Sequence, residues 1–335
     1  VFEQSVTPDL VVFTGNNTTI YAFGQLDLKT HGPIVLEAPT GTLGGIDNHW
    51  QYPLSDIGPF GPDKGMGGKF LILPPGYEEE VPDGYFVVKS DTFQNFYLLR
   101  GVPKNEDVQG AIDNLRTARL YPLSKAKNPP KTEWINGSGR TADITFPTDY
   151  PYFELLAKHL TAEPPRVRDY AMLGMLAPLG IEHGKPFKPD ARMKKILTEA
   201  ADVGAVTVRA LAARPRDDKF YYYPGESVWA TPFPGGSHEF IEDGAIVIDG
   251  RAYFHFYATG ITPAMTSKMV GKGSQYAMAY TDAKGNTLDG GKVYKVTLPP
   301  DVPAKDFWSF TLYDNQTRGM LQTDQQFPGV SSVDK

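Results

Sequence analysis

The chain has 335 residues and no cysteine, which excludes disulfides, thiol nucleophiles and zinc–thiolate sites. Its formal net charge of -6 is interspersed along the chain, without the clustered basic footprint that nucleic acid requires. An apolar content of 41% is enough for ordinary folded cores, and no apolar run approaches the ~20 residues of a membrane span.

Residues 1–124 read as a β domain. Pro33 to Ala38, Lys69 to Leu73, Tyr85 to Ser90 and Asn95 to Arg100 are short runs rich in β-branched and aromatic residues. Pro74-Pro75-Gly76 and Pro82-Asp83-Gly84 mark turns between them. Several runs are continuously apolar, which predicts strands covered on both faces. A short helix follows, capped by Asn105 or a neighbour, with Asp107 in its first turn and Val108, Ile112 and Leu115 at helical spacing.

Residues 125–217 read as a linker and helical insert. The linker, 125–148, is polar and rich in Pro and Gly. The clearest helix starts at Asp190, whose carboxylate suits an N-cap. Met193, Leu197, Ala200, Gly204, Thr207 and Leu211 lie on its apolar stripe, and Pro215 stops it. Such a helix is roughly 35 Å long.

Residues 218–335 read as a second β domain. AIVIDGRAYFHFYA predicts two strands joined by a type I′ turn at Asp249-Gly250, since both central residues of that turn need positive φ. Lys292 to Leu298 and Asp306 to Tyr313 alternate as strands do, the latter with Trp308, Phe310 and Leu312 on a buried face. The expected fold class is mainly β, two β-sandwich-like domains with an intervening helical insert. Val1 opens the sequence without an initiator Met or a signal peptide, so the chain reads as part of a longer parent, the second β domain being truncated.

Three segments carry chemistry. IDNHWQYPLSD places Asp47, His49, Tyr52 and Asp56 close together, two carboxylates and an imidazole suited to acid–base work, against the plainer reading of a polar loop. Tyr253, His255 and Tyr257 alternate with Phe254 and Phe256, and in a strand that leaves a Tyr-His-Tyr row free to hold a ligand. FYYYPGESVW adds Tyr222 and Trp229 as aromatic candidates for the same cleft. HEFIE, beginning at His238, lacks the second histidine of a zinc-protease helix and reads as a loop. No cofactor or metal is expected.

The strings NNTTIYAFGQLDLKTHGPIVLEAP and GGKFLILPPGYEEEVPDGYFVVKSDT resemble the family of unknown function numbered twelve fifty-four. The insert from Pro164 to Leu197 resembles that family's helical segment, and the tail from Tyr276 to Gln325 resembles the companion family numbered twelve fourteen. Thr18 stands where many members carry Asp. The resemblance implies paired β-sandwich-like domains and, often, an export signal, hence a secreted or periplasmic protein. It brings no reaction and assigns no catalytic residue.

Three functions follow from these readings. The first in rank is binding of a small amphipathic or carbohydrate-like ligand near the domain junction, through Tyr253, His255, Tyr257, Tyr222 and Trp229. The second is a hydrolase or lyase acting on a polar substrate there, with His49, Asp56, His255 and Tyr257 as candidates. The third is a structural protein whose sheet faces meet in a homo-oligomer.

Overall fold

The computed structural model describes residues 1–104, 106–268, 274–304 and 307–332. Asn105 and Asp306, each expected to begin an element, lie outside the described residues. Helix accounts for 26% of the described residues and strand for 21%, so the architecture is mixed α/β rather than mainly β.

After a two-residue strand β1 (Leu10–Val11), the N-terminal region runs β2 (Ile20–Asp27), the single-turn α1 (Leu28–His31), β3 (Ile34–Ala38), β4 (Leu43–Asn48) and β5 (Pro53–Ile57). It continues with β6 (Gly68–Leu73), β7 (Phe86–Lys89), β8 (Gln94–Gly101), α2 (Val108–Arg116) and β9 (Arg119–Pro122). These strands form two four-stranded sheets, ordered β2-β8-β4-β5 and β7-β6-β3-β9. All pairs are antiparallel except β6 with β7.

Strand β8 shows why the first sheet forms. Its burial alternates along all eight residues, and Tyr97 and Leu99 enter the core. That core also takes Ile20, Ala22 and Leu26 from β2, Ile34 and Leu36 from β3, and Phe70 and Ile72 from β6. Helix α2 closes it with Ala111, Ile112 and Leu115, and its cap is Asp107, whose side chain accepts the Gly110 N–H at 2.8 Å. On the other face of the second sheet, Val35, Leu71, Leu73 and Tyr121 are covered by Tyr77, Val81 and Tyr85. The continuous apolar runs of β3 and β6 are therefore covered on both faces, as expected, whereas β7 leaves Val87 exposed.

The middle of the chain holds β10 (Ala142–Asp143), which pairs with β1, then α3 (Pro151–Ala162), α4 (Tyr170–Leu176) and α5 (Ala191–Ala213). Helix α5 starts where its cap predicts: Asp190 accepts the Met193 N–H at 2.7 Å.

The C-terminal region differs most from expectation. It contains two short ribbons, β11 (Ile241–Glu242) with β12 (Ala245–Ile246) and β13 (Ser309–Thr311) with β14 (Gly329–Ser331). Between them lie α6 (Ile248–Tyr257) and the one-turn α7 (Pro263–Thr266). The expected hairpin at Asp249-Gly250 is helix α6 instead. Gly250, Tyr253, Phe254 and Tyr257 recur at helical spacing and are buried together, and a short apolar run does not itself distinguish that pattern from a buried strand. Gly250 is needed for room: a Cβ there would stand 2.7 Å from Pro234 Cγ. The tight turn falls one Asp-Gly earlier, at Asp243 (φ 49°) and Gly244 (φ 78°), which joins β11 to β12 with the backbone a type I′ turn requires. No strand covers 292–298, and Val293 is fully exposed. Trp308 and Phe310 are only half-buried and Leu312 is exposed, so that strand lacks its expected buried face.

Candidate functional site

The β4–β5 hairpin builds the centre. A bulge between Ile46 and Asp47 shifts the register there. Gly45 faces Asp56 across the pair, so Asp47, two residues on, shares that face with Asp56. The tip is organised by Asn48, whose side-chain oxygen accepts the N–H groups of Trp50 (2.9 Å) and Tyr52 (3.0 Å). Its amide donates to Asp91 at 2.7 Å, and Asp91 also accepts Arg166 Nη1 at 3.0 Å.

Asp47 and Asp56 are 4% and 9% exposed. The segment 260–264 lies over them. The backbone N–H of Ile261 faces Asp47, and the Thr262 hydroxyl and Ala264 N–H face Asp56. Two glycines allow this approach. A Cβ at Gly260 (φ 70°) would lie 3.0 Å from Asp47 Oδ2, and one at Gly45 would lie 2.9 Å from Thr262 Cγ2. Gln51 holds the cover in place by accepting the Gly260 N–H at 2.6 Å. Even so, Oδ1 of each aspartate is enclosed and without a hydrogen-bond partner among the described residues.

Burial, then the neighbouring Asp56 charge, lifts the Asp47 carboxyl well above the usual range against the opposing Ile261 N–H. Burial also raises Asp56, but Thr262, Ala264 and the nearby His238 favour its ionised form.

The rim is aromatic and charged. Tyr52 donates to Glu239 Oε1 at 2.7 Å, and the Arg168 guanidinium sits 4.1 Å from the Tyr52 ring centroid. His49 meets His159 of α3, Nε2 to Nδ1 at 3.0 Å. Burial, with His159 beside it, pushes His49 down to about 4. Helix α3 is placed for this contact by Glu163 at its end, which accepts the N–H groups of Phe93 (2.6 Å) and Gln94 (2.8 Å).

The structure brings His49 and Asp56 to this junction but not the aromatic row. Tyr253 and Tyr257 lie in a core with Ala212, Phe220 and Phe256, and the Tyr253 hydroxyl is 3.1 Å from that of Tyr280. The helix thus turns Tyr253 and Tyr257 inward together with the phenylalanines. His255 packs against Phe240 and Phe254, where burial pushes it down to about 4. Tyr222 donates to the Tyr276 carbonyl, and Trp229 packs 6.1 Å from Phe310. His238, Glu239, Gly260 and Thr262 carry no local motif for this site. The one signal was HEFIE, whose His and Glu reach the hairpin from a loop.

Among the described residues, two concavities flank α3. A space of about 10 Å³ lies between Trp50, Glu163 and Leu173. A shallow groove of about 530 Å³ is lined by Glu154, Lys158, Thr161, Lys185 and Phe187. No group of three or more His, Asp or Glu side chains suited to a metal occurs among the described residues. No helix among them is long and apolar enough to cross a membrane.

Residues 2–122 match the family described as protein of unknown function (DUF1254), and residues 273–335 match protein of unknown function (DUF1214). The chain thus carries these two domains, in the order the sequence resemblance implied. The fold is similar to the crystal structure of the VPA0106 protein from Vibrio parahaemolyticus, with a TM-score of 0.55 and 19% identity. That match covers 96% of this chain and 76% of the other. No curated protein matches the sequence.

Proposed function

We propose that this chain is an enzyme of the hydrolase or lyase class, performing acid–base chemistry on a small polar substrate at the β4–β5 junction. The observation that carries the reading is the pair of buried aspartates on one hairpin face, each with an enclosed oxygen that has no hydrogen-bond partner among the described residues. Two adjacent buried carboxylates do not both ionise cheaply, so the pair retains a proton at pH values where exposed aspartates have lost theirs. Asp47, the more enclosed, keeps that proton and serves as the acid. Asp56, facing Thr262, Ala264 and His238, stays ionised and serves as the base. The 260–264 cover moves aside to admit substrate and excludes water when closed.

The test is a screen of aryl esters, aryl glycosides and β-elimination substrates with wild type, Asp47→Asn and Asp56→Asn. Turnover should fall by about 10²–10⁴-fold in Asp56→Asn while thermal melting stays cooperative. Turnover of any hit that survives unchanged in both variants overturns the assignment.

A second reading, binding of a small amphipathic or carbohydrate-like ligand, is favoured by the groove beside α3, where Phe187 offers a ring and Lys158 and Lys185 offer donors. Saturation-transfer NMR with a glycan panel checks it, with Phe187→Ala expected to abolish any signal.

A further inference from the structure

The outward face of the first sheet carries the two aspartates and continues past them. Cross-strand pairing fixes what lies beside each one. Asp47 is opposite Phe96 on β8, and Phe96 is opposite Gln25 on β2. Asp56 is opposite Gly45, Gly45 is opposite Leu98, and Leu98 is opposite Phe23. The intervening residues Ile46, Tyr97, Leu99 and Ala22 point the other way, into the core. Two rows therefore run from the aspartates across the sheet to its edge strand β2. Beyond β4 their side chains are Phe96, Leu98, Phe23 and Gln25.

The 260–264 segment covers the β4 end of these rows, where Thr262 lies against Gly45. Phe96 and Leu98 are only half-buried, and Phe23 is 46% exposed. On the far side, Phe2 is buried with its ring 5.6 Å from that of Phe23, and its N–H donates to the Tyr21 carbonyl at 2.8 Å. A lone exposed phenylalanine needs no explanation. Here the exposed ring extends a half-buried apolar row that ends on two buried acids.

The chemistry of the strip selects its occupant. Phe23 is tilted by 38° to Phe2 and by 42° to Phe96, so the rings share no plane on which a sugar or a flat aromatic group could stack. Past β4, Gln25 is the one side chain in these rows with hydrogen-bonding groups. The next outward residue of β8, Arg100, is turned to the Thr19 hydroxyl at 3.2 Å and lies 5.6 Å from the Tyr21 ring. A flexible alkyl chain suits such a surface, because it follows tilted rings and needs no donors. Three strand spacings put Phe23 about 14 Å from Asp56, the reach of roughly ten carbons. We propose that this strip binds an alkyl or acyl chain. The substrate is then an amphipathic molecule whose polar, reacting end lies at Asp47 and Asp56 and whose chain runs over Phe96 and Leu98 to Phe23. The reacting end rests on the acid–base reading of the aspartates, and the chain rests on the sheet register.

Binding and turnover are measured separately, with 1-octanol and 1-butanol as neutral binding probes in saturation-transfer NMR and p-nitrophenyl decanoate and butyrate as substrates. Wild type should bind octanol at least about tenfold more tightly than butanol and turn over the decanoate with the higher kcat/KM. Phe23→Ser keeps the β2–β8 backbone pairs and should lose the preference in both measurements. Phe23→Tyr keeps the ring and should retain it. Equal affinity for the two alcohols in wild type, or an unchanged preference in Phe23→Ser, overturns the proposal. A preference that depends on Phe23 in a protein without turnover keeps the chain site and removes the enzyme reading. Turnover that needs Asp56 but ignores chain length and Phe23 keeps the enzyme and overturns the chain site.

Discussion

The N-terminal sheets and the stretch after residue 218 both read as β in sequence, yet only the first builds long ladders. β2 and β8 pair over eight positions, Ile20 with Gly101 through Asp27 with Gln94. The C-terminal ribbons pair over two or three, and residues 292–298, which alternate as well as any strand in the chain, pair with nothing described. The difference lies in partners and cover. β8 has a strand on each side and a second sheet facing its buried residues, whereas Val293 and Val296 meet solvent. Alternation sets which face a strand would bury, and a ladder forms only where another layer receives that face.

The largest effect that tests this contrast is removal of a side chain from the shared core. Phe70 is fully buried between the sheets and packs 5.3 Å from Phe86. Phe70→Ala should cost about 3–5 kcal/mol in urea unfolding, through lost burial and the cavity left behind. A cost below about 1 kcal/mol would show that the two sheets do not share one core.

The sequence was legible where local signals sufficed. β3, β6, β7 and β8 are apolar runs between proline and glycine turns, and α5 is framed by Asp190 and Pro215. β4 and β5 were not, because LGGIDN and PLSDI are strands through their pairing with β8 and with each other. α6 departs from the expected strands because Phe and Tyr at consecutive positions satisfy a strand and a buried helix equally. At the site, Asp47, His49, Tyr52 and Asp56 were visible because eleven contiguous residues hold them. His238 and Thr262 are brought in only by the tertiary fold.

A second test uses pH on the C-terminal side. His255, between Phe240 and Phe254 with Arg251 nearby, has its imidazole pushed down to about 4 by burial. A histidine lowered in the fold is unprotonated there while the unfolded chain takes up a proton. Stability is therefore unaffected above about pH 6.5 and is lost as pH falls toward 4. The loss from this group is about 3 kcal/mol across that window. His49 and His159 are also lowered and act in the same direction. His255→Leu should therefore remove part of the acid sensitivity, read as urea midpoints at pH 7 and pH 4.5. An identical pH dependence in variant and wild type would place His255 in water.

The aspartate pair gives a change of opposite sign. A carboxyl raised in the fold favours its protonated form, so stability is fullest in acid and declines as pH climbs from about 3.9 through the folded value. Asp47→Asn keeps the shape and removes the charge. It should stabilise the protein at pH 7 by about 1 kcal/mol or more, with the gain vanishing near pH 3. Destabilisation at pH 7 would mean that Asp47 is ionised and paired.

The smallest expected effect bears most directly on the contrast between regions. The alternation of residues 306–313 assigns Trp308, Phe310 and Leu312 to a buried face, yet the ribbon β13–β14 is only three pairs long and leaves Leu312 56% exposed. Its backbone is nevertheless held, with the Leu312 N–H donating to Pro328 and its carbonyl accepting the Leu321 N–H. Truncation therefore removes little burial and no hydrogen bond. Leu312→Ala should shift stability by less than about 0.5 kcal/mol, the range of surface substitutions. A loss of about 2 kcal/mol, the scale of a buried leucine, would mean that a layer covers this ribbon in solution. The two regions would then differ in what covers them and not in how their strands are written.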